Sequence, residues 1–177
     1  MGGMGRSFNG SYAEYALLPF HHVFAIQSDM TWSDIAAVPE TYFTAWGSLF
    51  RCLRLQKDDE LLIRGGTCAL GYASIQIAKA IGCRVAATTH RESKLNLLKN
   101  AGADECILDD SNLNEKYQGR FNKVLELVGC KTLRDTLRCT ASGGIVCNTG
   151  VLGGVFTLEN FAPIQEIPNG VYLTGIH

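Results

Sequence analysis

The segment LLIRGGTCALGYASIQIA, residues 61–78, contains a change of periodicity. Leu61–Arg64 reads as a short apolar strand, Gly65-Gly66 as a turn, and the residues from Ala69 onward place apolar side chains at helical spacing. A strand that turns directly into a helix leaves the first backbone N–H groups of that helix unpaired. With the positive end of the helix dipole they form a cradle for a phosphate.

In the dinucleotide fingerprint GxGxxG the first glycine makes the tight turn. The second lets the pyrophosphate approach the backbone, and the third lets helix and strand pack closely. Here GTCALG, residues 66–71, keeps the first and third glycines and carries Cys68 in the middle. Cysteine is small and permits the approach at slightly greater distance. The competing reading is a plain strand-to-helix connection whose glycines serve only to turn. A P-loop is excluded, because no Gly-Lys-Ser/Thr follows. A methyltransferase uses a similar turn, usually with an acidic residue at the end of the next strand.

That next strand is RVAATT, residues 84–89, followed by HRESK, residues 90–94. An NAD site places Asp or Glu here to hold the adenosine ribose. Thr89 is neutral, and Arg91 and Lys94 follow. A carboxylate would repel a ribose 2′-phosphate, whereas Thr89 can donate to one and Arg91 can grip it with a planar fork. The bland alternative is that both cations decorate a solvated helix start, where the dipole disfavours them. The missing acid counts against NAD and against S-adenosylmethionine, and the expected cofactor is NADP.

Outward from this segment, strands and helices alternate. Strands are expected at Glu60–Arg64, Arg84–Thr88, Glu105–Leu108, Lys123–Leu127, Gly144–Asn148 and Tyr172–Gly175. Helices are expected at Ala69–Ile81, Ser93–Asn100, Leu113–Tyr117 and Lys131–Cys139. Short, continuously apolar strands joined by helices predict an α/β fold, a doubly wound parallel sheet of about six strands. Upstream, TWSDIAAVP (residues 31–39) opens with a capping-box-like start and predicts a short helix. TYFTAWGSLFRCL (residues 41–53) has apolar residues at helical spacing. The N-terminal FNGSYAEYALLPFHHVFAIQ (residues 8–27) alternates and predicts two short strands around Pro19, a β appendage too small to stand alone. Residues 151–169 predict a long irregular loop containing two prolines, and the chain stops at His177 just after a strand, as if a continuation were missing.

Composition bounds the rest. The 177 residues are 46% hydrophobic and 19% charged, with net charge −1, as expected of an ordinary globular domain. No basic patch with interleaved aromatics favours nucleic acid, no run is long enough to cross a bilayer, and no signal peptide is expected. Met1-Gly2 would suit myristoylation, but Arg6 stands where that motif wants Ser or Thr. Seven cysteines without a CxxC pair predict buried, reduced thiols and a cytoplasmic protein.

Taken together, GSYAEYALLP, AAVPETYFTAW, LLIRGGTCALGYASIQIAKAIGCRV, KLNLLKNAGADECI, VLELVG and GVYLTGIH resemble the medium-chain dehydrogenase/reductase superfamily, and its quinone-oxidoreductase branch most closely. The phrases stand in family order and cover nearly the whole chain. The resemblance implies a Rossmann domain over residues 31–177 that binds NADPH, preceded by a remnant of a GroES-like catalytic domain over residues 1–30. It implies hydride transfer to a quinone or conjugated carbonyl, with the polarising groups outside this chain and the fragment inactive alone. The alternative is a non-catalytic binding or assembly module that has lost the dinucleotide.

Residue by residue, the resemblance assigns Gly66, Thr67, Cys68, Ala69 and Leu70 to the pyrophosphate turn. It assigns Thr89, Arg91 and Lys94 to the ribose phosphate, and Val128 and Gly129 to the cleft wall. Thr149, Gly150 and Val151 would approach the nicotinamide, with Thr44 beneath it. No catalytic residue is assigned. Tyr42 is expected in core packing beside Trp46, and His21-His22 at a strand edge. Glu40 stands where the zinc-dependent branch has a cysteine ligand, so the chain reads as zinc-free. The last strand implies a possible homodimer, and the parent protein's partner is a small-molecule substrate.

Overall fold

The computed structural model describes residues 4, 5 and 7–176. The expectations that fall on Met1, Gly2, Arg6 and His177 lie outside these residues. The chain divides into two units, Met1–Asp34 and Ile35–His177.

In the first unit the expected strand pair is not formed. Its described residues carry one isolated bridge, Met4 to Phe8, and one 3-10 turn, Phe20–His22. Tyr12, Tyr15, Leu17 and Phe20 are exposed. Alternating apolar residues make a strand only where a neighbouring strand takes up their N–H and C=O groups, and these residues have no such neighbour among the described residues. His21 and His22 therefore sit in a turn, not at a strand edge. The capping-box-like start forms its N-cap half: Thr31 Oγ1 accepts from the Asp34 amide at 3.2 Å, and its second bond, to the Asp34 carboxylate at 2.8 Å, joins the two side chains. It opens helix α1, Trp32–Ala37.

In the second unit, α2 (Pro39–Trp46) continues through the wider turns of Gly47–Cys52 and leads into β1 (Glu60–Arg64). Then follow α3 (Ala69–Ala80), β2 (Arg84–Thr89), α4 (Leu95–Asn100), β3 (Glu105–Leu108), α5 (Asn114–Tyr117) and β4 (Phe121–Glu126). The unit ends with α6 (Leu133–Cys139), β5 (Thr140–Asn148), α7 (Pro163–Glu166) and β6 (Tyr172–Gly175). The six strands form one parallel sheet in the order β3-β2-β1-β4-β5-β6, so the expected doubly wound fold is present. The order reverses between β1 and β4, and in such sheets the crevice beyond the carboxyl ends at that point is where ligands sit.

Both faces of the sheet are covered. Leu61, Ile63, Val85, Ala87 and Leu125 pack with Leu49, Leu53 and Ile75 on one side. Leu62, Ala86, Val124 and Val146 pack with Leu133 and Leu137 on the other. Several boundaries differ from expectation for local reasons. Residues Glu92–Lys94 form a 3-10 turn before α4. Helix α6 starts at Leu133, because Gly129 first makes a turn whose carbonyl accepts from the amides of Thr132 and Leu133 at 3.0 and 3.1 Å. The loop after β5 gains the short α7, tied to α6 by an Arg134–Glu166 ion pair.

The turn between β1 and α3 is made by Gly65, at φ +83°, rather than by Gly66. Gly71 packs helix on turn: a Cβ there would lie 2.3 Å from the Gly66 carbonyl oxygen. Replacing Gly71 with Ala therefore forces backbone apart. A stability loss of about 2–3 kcal/mol is expected from urea unfolding of Gly71→Ala.

Candidate functional site

Cys68 caps α3. Its backbone is extended (φ −116°, ψ 169°), and its Sγ accepts from the Gly71 amide at 3.3 Å. The thiol thus takes the place of a Ser or Thr N-cap, and the middle position of the fingerprint closes the helix end without filling the turn. Beyond it lies a cleft of about 420 Å³. Its walls bring together Thr67, Cys68, Thr89, Arg91, Lys94 and Val128, six of the residues expected there. They also include residues that sequence reasoning missed: Gly65, Thr88, His90, Asp109, Ser111, Lys131, Thr132, Leu152 and Gly153.

Three cations, Arg91, Lys94 and Lys131, line this cleft, and among the described residues its one carboxylate is Asp109. That carboxylate is already engaged. Arg64, fully buried at the end of β1, donates Nε to Asp109 Oδ2 at 2.8 Å and Nη2 to Oδ1 at 2.9 Å. Its Nη1 reaches Asp135 at 2.5 Å, the Thr136 hydroxyl at 2.9 Å and the Thr132 carbonyl at 3.3 Å. Thr88 joins this group to the glycine turn, donating to Asp109 at 3.1 Å and accepting from the Gly65 amide at 3.0 Å. Thr89 is almost fully buried; its hydroxyl lies 3.3 Å from that of Thr67 and accepts from the Arg91 amide at 3.3 Å.

The opposite wall is held by Glu126. It is register-paired with Arg64 across β1 and β4. Oε1 accepts from the amides of Val128 and Gly129 at 2.7 and 3.0 Å, and Oε2 meets the hydroxyls of Thr132, at 3.1 Å, and Thr136. Leu152 and Gly153 close the wall by donating to the carbonyls of Leu127 and Val128 at 3.0 and 2.8 Å.

The remaining expected residues are elsewhere. Gly66, Ala69 and Leu70 support the turn without lining the cleft, and Gly129 shapes the wall from behind. Gly150 packs against β4 so tightly that a Cβ would lie 2.2 Å from the Leu127 carbonyl oxygen, and Val151 follows it outside the cleft. Thr149 and Thr44 meet at Ser48, a fully buried residue not anticipated from sequence: Ser48 Oγ donates to the Thr44 carbonyl at 2.8 Å and lies 3.1 Å from Thr149 Oγ1. Tyr42 donates its hydroxyl to Gln76 on α3, while Trp46 pairs with Phe50 at 5.5 Å between centroids. All seven cysteines are free, but Cys52, Cys68, Cys106 and Cys130 are only half-buried, short of the full burial expected. Among the described residues no group of three or more His, Cys, Asp or Glu could hold a metal ion, and no helix is long and apolar enough to cross a membrane.

The fold and cleft define a nucleotide-binding domain of the doubly wound class. A sequence model of the zinc-binding dehydrogenases matches residues 69–176. The chain belongs to that family, within the medium-chain dehydrogenase/reductase superfamily that its ordered motifs resemble. A quinone oxidoreductase of Pongo abelii is 28% identical over 156 residues, covering 84% of this chain and 47% of the relative. Among solved structures, an NAD-dependent alcohol dehydrogenase superposes with TM-score 0.82 at 26% identity, over 97% of this chain and 51% of that one. The quinone oxidoreductase of Thermus thermophilus, solved alone and with NADPH, superposes with TM-score 0.74 at 25% identity, over 90% and 52%. The chain spans about half the length of these relatives.

The buried charges make stability depend on pH in two opposed ways. Burial pushes the Asp109 carboxyl up, but Arg64 more than offsets this and holds it below the usual carboxylate range. Its contribution is present above the unfolded value of about 3.9 and is lost as pH falls through the lower folded value. For Glu126 burial wins over Thr136, Arg64 and the two amides, and its pKa is raised. Its contribution is present below the unfolded value of about 4.3 and fades as pH rises through the folded one. Urea unfolding from pH 3 to 8 is expected to show Glu126→Gln as stable as the parent near neutrality, with the acid limb retained. Asp109→Asn, which breaks the bidentate pair and leaves Asp135 as the one ion-pair partner of Arg64 among the described residues, is expected to lose about 3 kcal/mol at pH 7.

Proposed function

We propose that this chain is the cofactor-binding part of an oxidoreductase that uses NADPH. One observation carries the reading: Arg91, Lys94 and Lys131 line the cleft, while its only carboxylate among the described residues is committed to Arg64. A free acid at the end of β2 would select the ribose hydroxyls of NAD and repel a phosphate. Here the end of β2 is Thr89, and Glu92 does not line the cleft.

In this reading the amides at the start of α3, capped by Cys68, face the pyrophosphate. Arg91 and Lys94 hold the ribose 2′-phosphate from one side and Lys131 approaches from the turn before α6. Val128, Leu152 and Gly153 give the adenosine an apolar wall. Thr149, oriented by Ser48, stands on the nicotinamide side together with Gly150, Val151 and Thr44. The bound nicotinamide supplies the hydride; the chain's residues bind and orient it. A quinone or conjugated carbonyl accepts the hydride in the full-length protein, where residues outside this chain polarise it. Residues 1–30 are the end of that catalytic part, and the chain alone is inactive. The edge of β6, with Tyr172 exposed, pairs with a second copy. The protein is cytoplasmic.

Calorimetric titration with NADPH and NADH tests this. NADPH is expected to bind more tightly, and Arg91→Ala to weaken NADPH by about tenfold or more, the worth of one charge-assisted bond, with NADH nearly unchanged. Absence of binding by either dinucleotide at millimolar concentration would favour an assembly module that has lost its cofactor. Tighter NADH would remove the 2′-phosphate assignment alone.

A further inference from the structure

We propose that the opposite end of the sheet carries a second binding site, for the phosphate group of a small phosphorylated molecule. Lys123 lies in register between Leu61 on β1 and Ile145 on β5, and Ile145 is paired in turn with Tyr172 on β6. Register partners in a parallel sheet point to the same face. Leu61 is fully buried and Ile145 packs on the same core, so the lysine interrupts an apolar row. It is half-buried, yet no carboxylate lies within ion-pair distance of it among the described residues. Lysine is mostly an exposed residue, and a central strand position in an apolar row offers many residues that pack better.

Lys123 opens into a cavity of about 560 Å³ that Arg51 and Arg54 also line. Both arginines are exposed, and neither has an ion-pair partner among the described residues. The one carboxylate on the wall among the described residues, Asp59, is occupied: it accepts from the Gln56 amide at 2.7 Å and from Asn122 Nδ2 at 2.6 Å.

Arg54 is held at φ +52°, a conformation that Gly or Asn adopts far more cheaply. That conformation ends the helical segment Gly47–Cys52, with the Leu55 amide donating to the Leu49 carbonyl at 2.9 Å; the arginine set there and the unpaired lysine line one wall, where guanidinium and ammonium can serve one anionic ligand. Two guanidinium groups, one ammonium and the Thr174 hydroxyl are donors of the kind a phosphate monoester takes. The Tyr172 side chain on the same wall offers a face for its organic part. This site lies at the amino-terminal half of β4 and the middle of β5, whereas the cofactor cleft lies beyond the carboxyl ends, so the two are separate.

Backbone amide NMR of the chain, titrated with phenyl phosphate and with inorganic phosphate, tests the proposal. Phenyl phosphate is expected to shift the amides of residues 51–56 and 172–174, and to saturate at lower concentration than inorganic phosphate. Lys123→Gln is expected to raise the dissociation constant by about tenfold without changing any shift at Thr67 and Cys68. Arg54→Gly removes a guanidinium and relaxes the backbone. It is expected to weaken binding while the melting temperature stays the same or rises, and it decides the matter alone if Lys123→Gln does not fold. Shifts confined to Thr67–Lys94, or variants that bind as the parent does, would overturn the site. Equal affinity for the two probes would overturn the organic wall.

Discussion

The guanidinium of Arg64 is the interaction on which the cleft depends. It is fully buried at the end of the central strand β1, held by Asp109 from the β3 side and Asp135 from α6. A charge placed there costs several kcal/mol of hydration, about the scale of a domain's whole net stability. The structure offsets this with two carboxylates, a hydroxyl and a carbonyl arranged around one planar fork. Because the partners come from different elements, the network also fixes where those elements end. Thr88 ties the Gly65 amide to Asp109, and Glu126, register-paired with Arg64, ties down the amides of Val128 and Gly129. The two walls of the crevice are thereby referenced to one buried charge.

This arrangement also explains how a cleft with an aspartate on its wall remains suited to an anion. Asp109 faces the cavity, but its two oxygens are occupied by Arg64, with further donors in Thr88 and the Ser111 amide. The field felt by a ligand is set by Arg91, Lys94 and Lys131. Residue type alone would have counted Asp109 as a repelling group or as the ribose-binding acid; its partner decides otherwise.

Much of the fold was legible because the signals were local. Gly65-Gly66 between an apolar run and a helical period placed β1 and α3, and the short apolar runs placed the other strands within a few residues. The N-terminal twenty residues misled for the same reason: alternation is a local property, but strand formation needs a partner, and Tyr12, Leu17 and Phe20 remain exposed. In the cleft, Thr67, Cys68, Thr89, Arg91 and Lys94 were readable because they stand next to strand ends. Lys131 and Asp109 were not, since each lies far along the chain from the turn it faces. Ser48 gave no signal at all, being one small polar residue in a helical apolar run.

The order of strands and helices, the glycine turn and the neutral end of β2 belong to the sequence by itself, because periodicity and turn chemistry act over a few neighbouring residues. Tertiary structure alone decided that Cys68 caps its helix with a thiol. It decided that Gly65 rather than Gly66 makes the turn, and that Arg64 organises the cleft from inside the sheet. It also decided that Lys123 stands in an apolar row with no ion-pair partner among the described residues. The reason is the same each time: burial, hydrogen-bond partners and charge partners are properties of distance in space, and most of the residues that determine them here lie tens of positions apart in the chain.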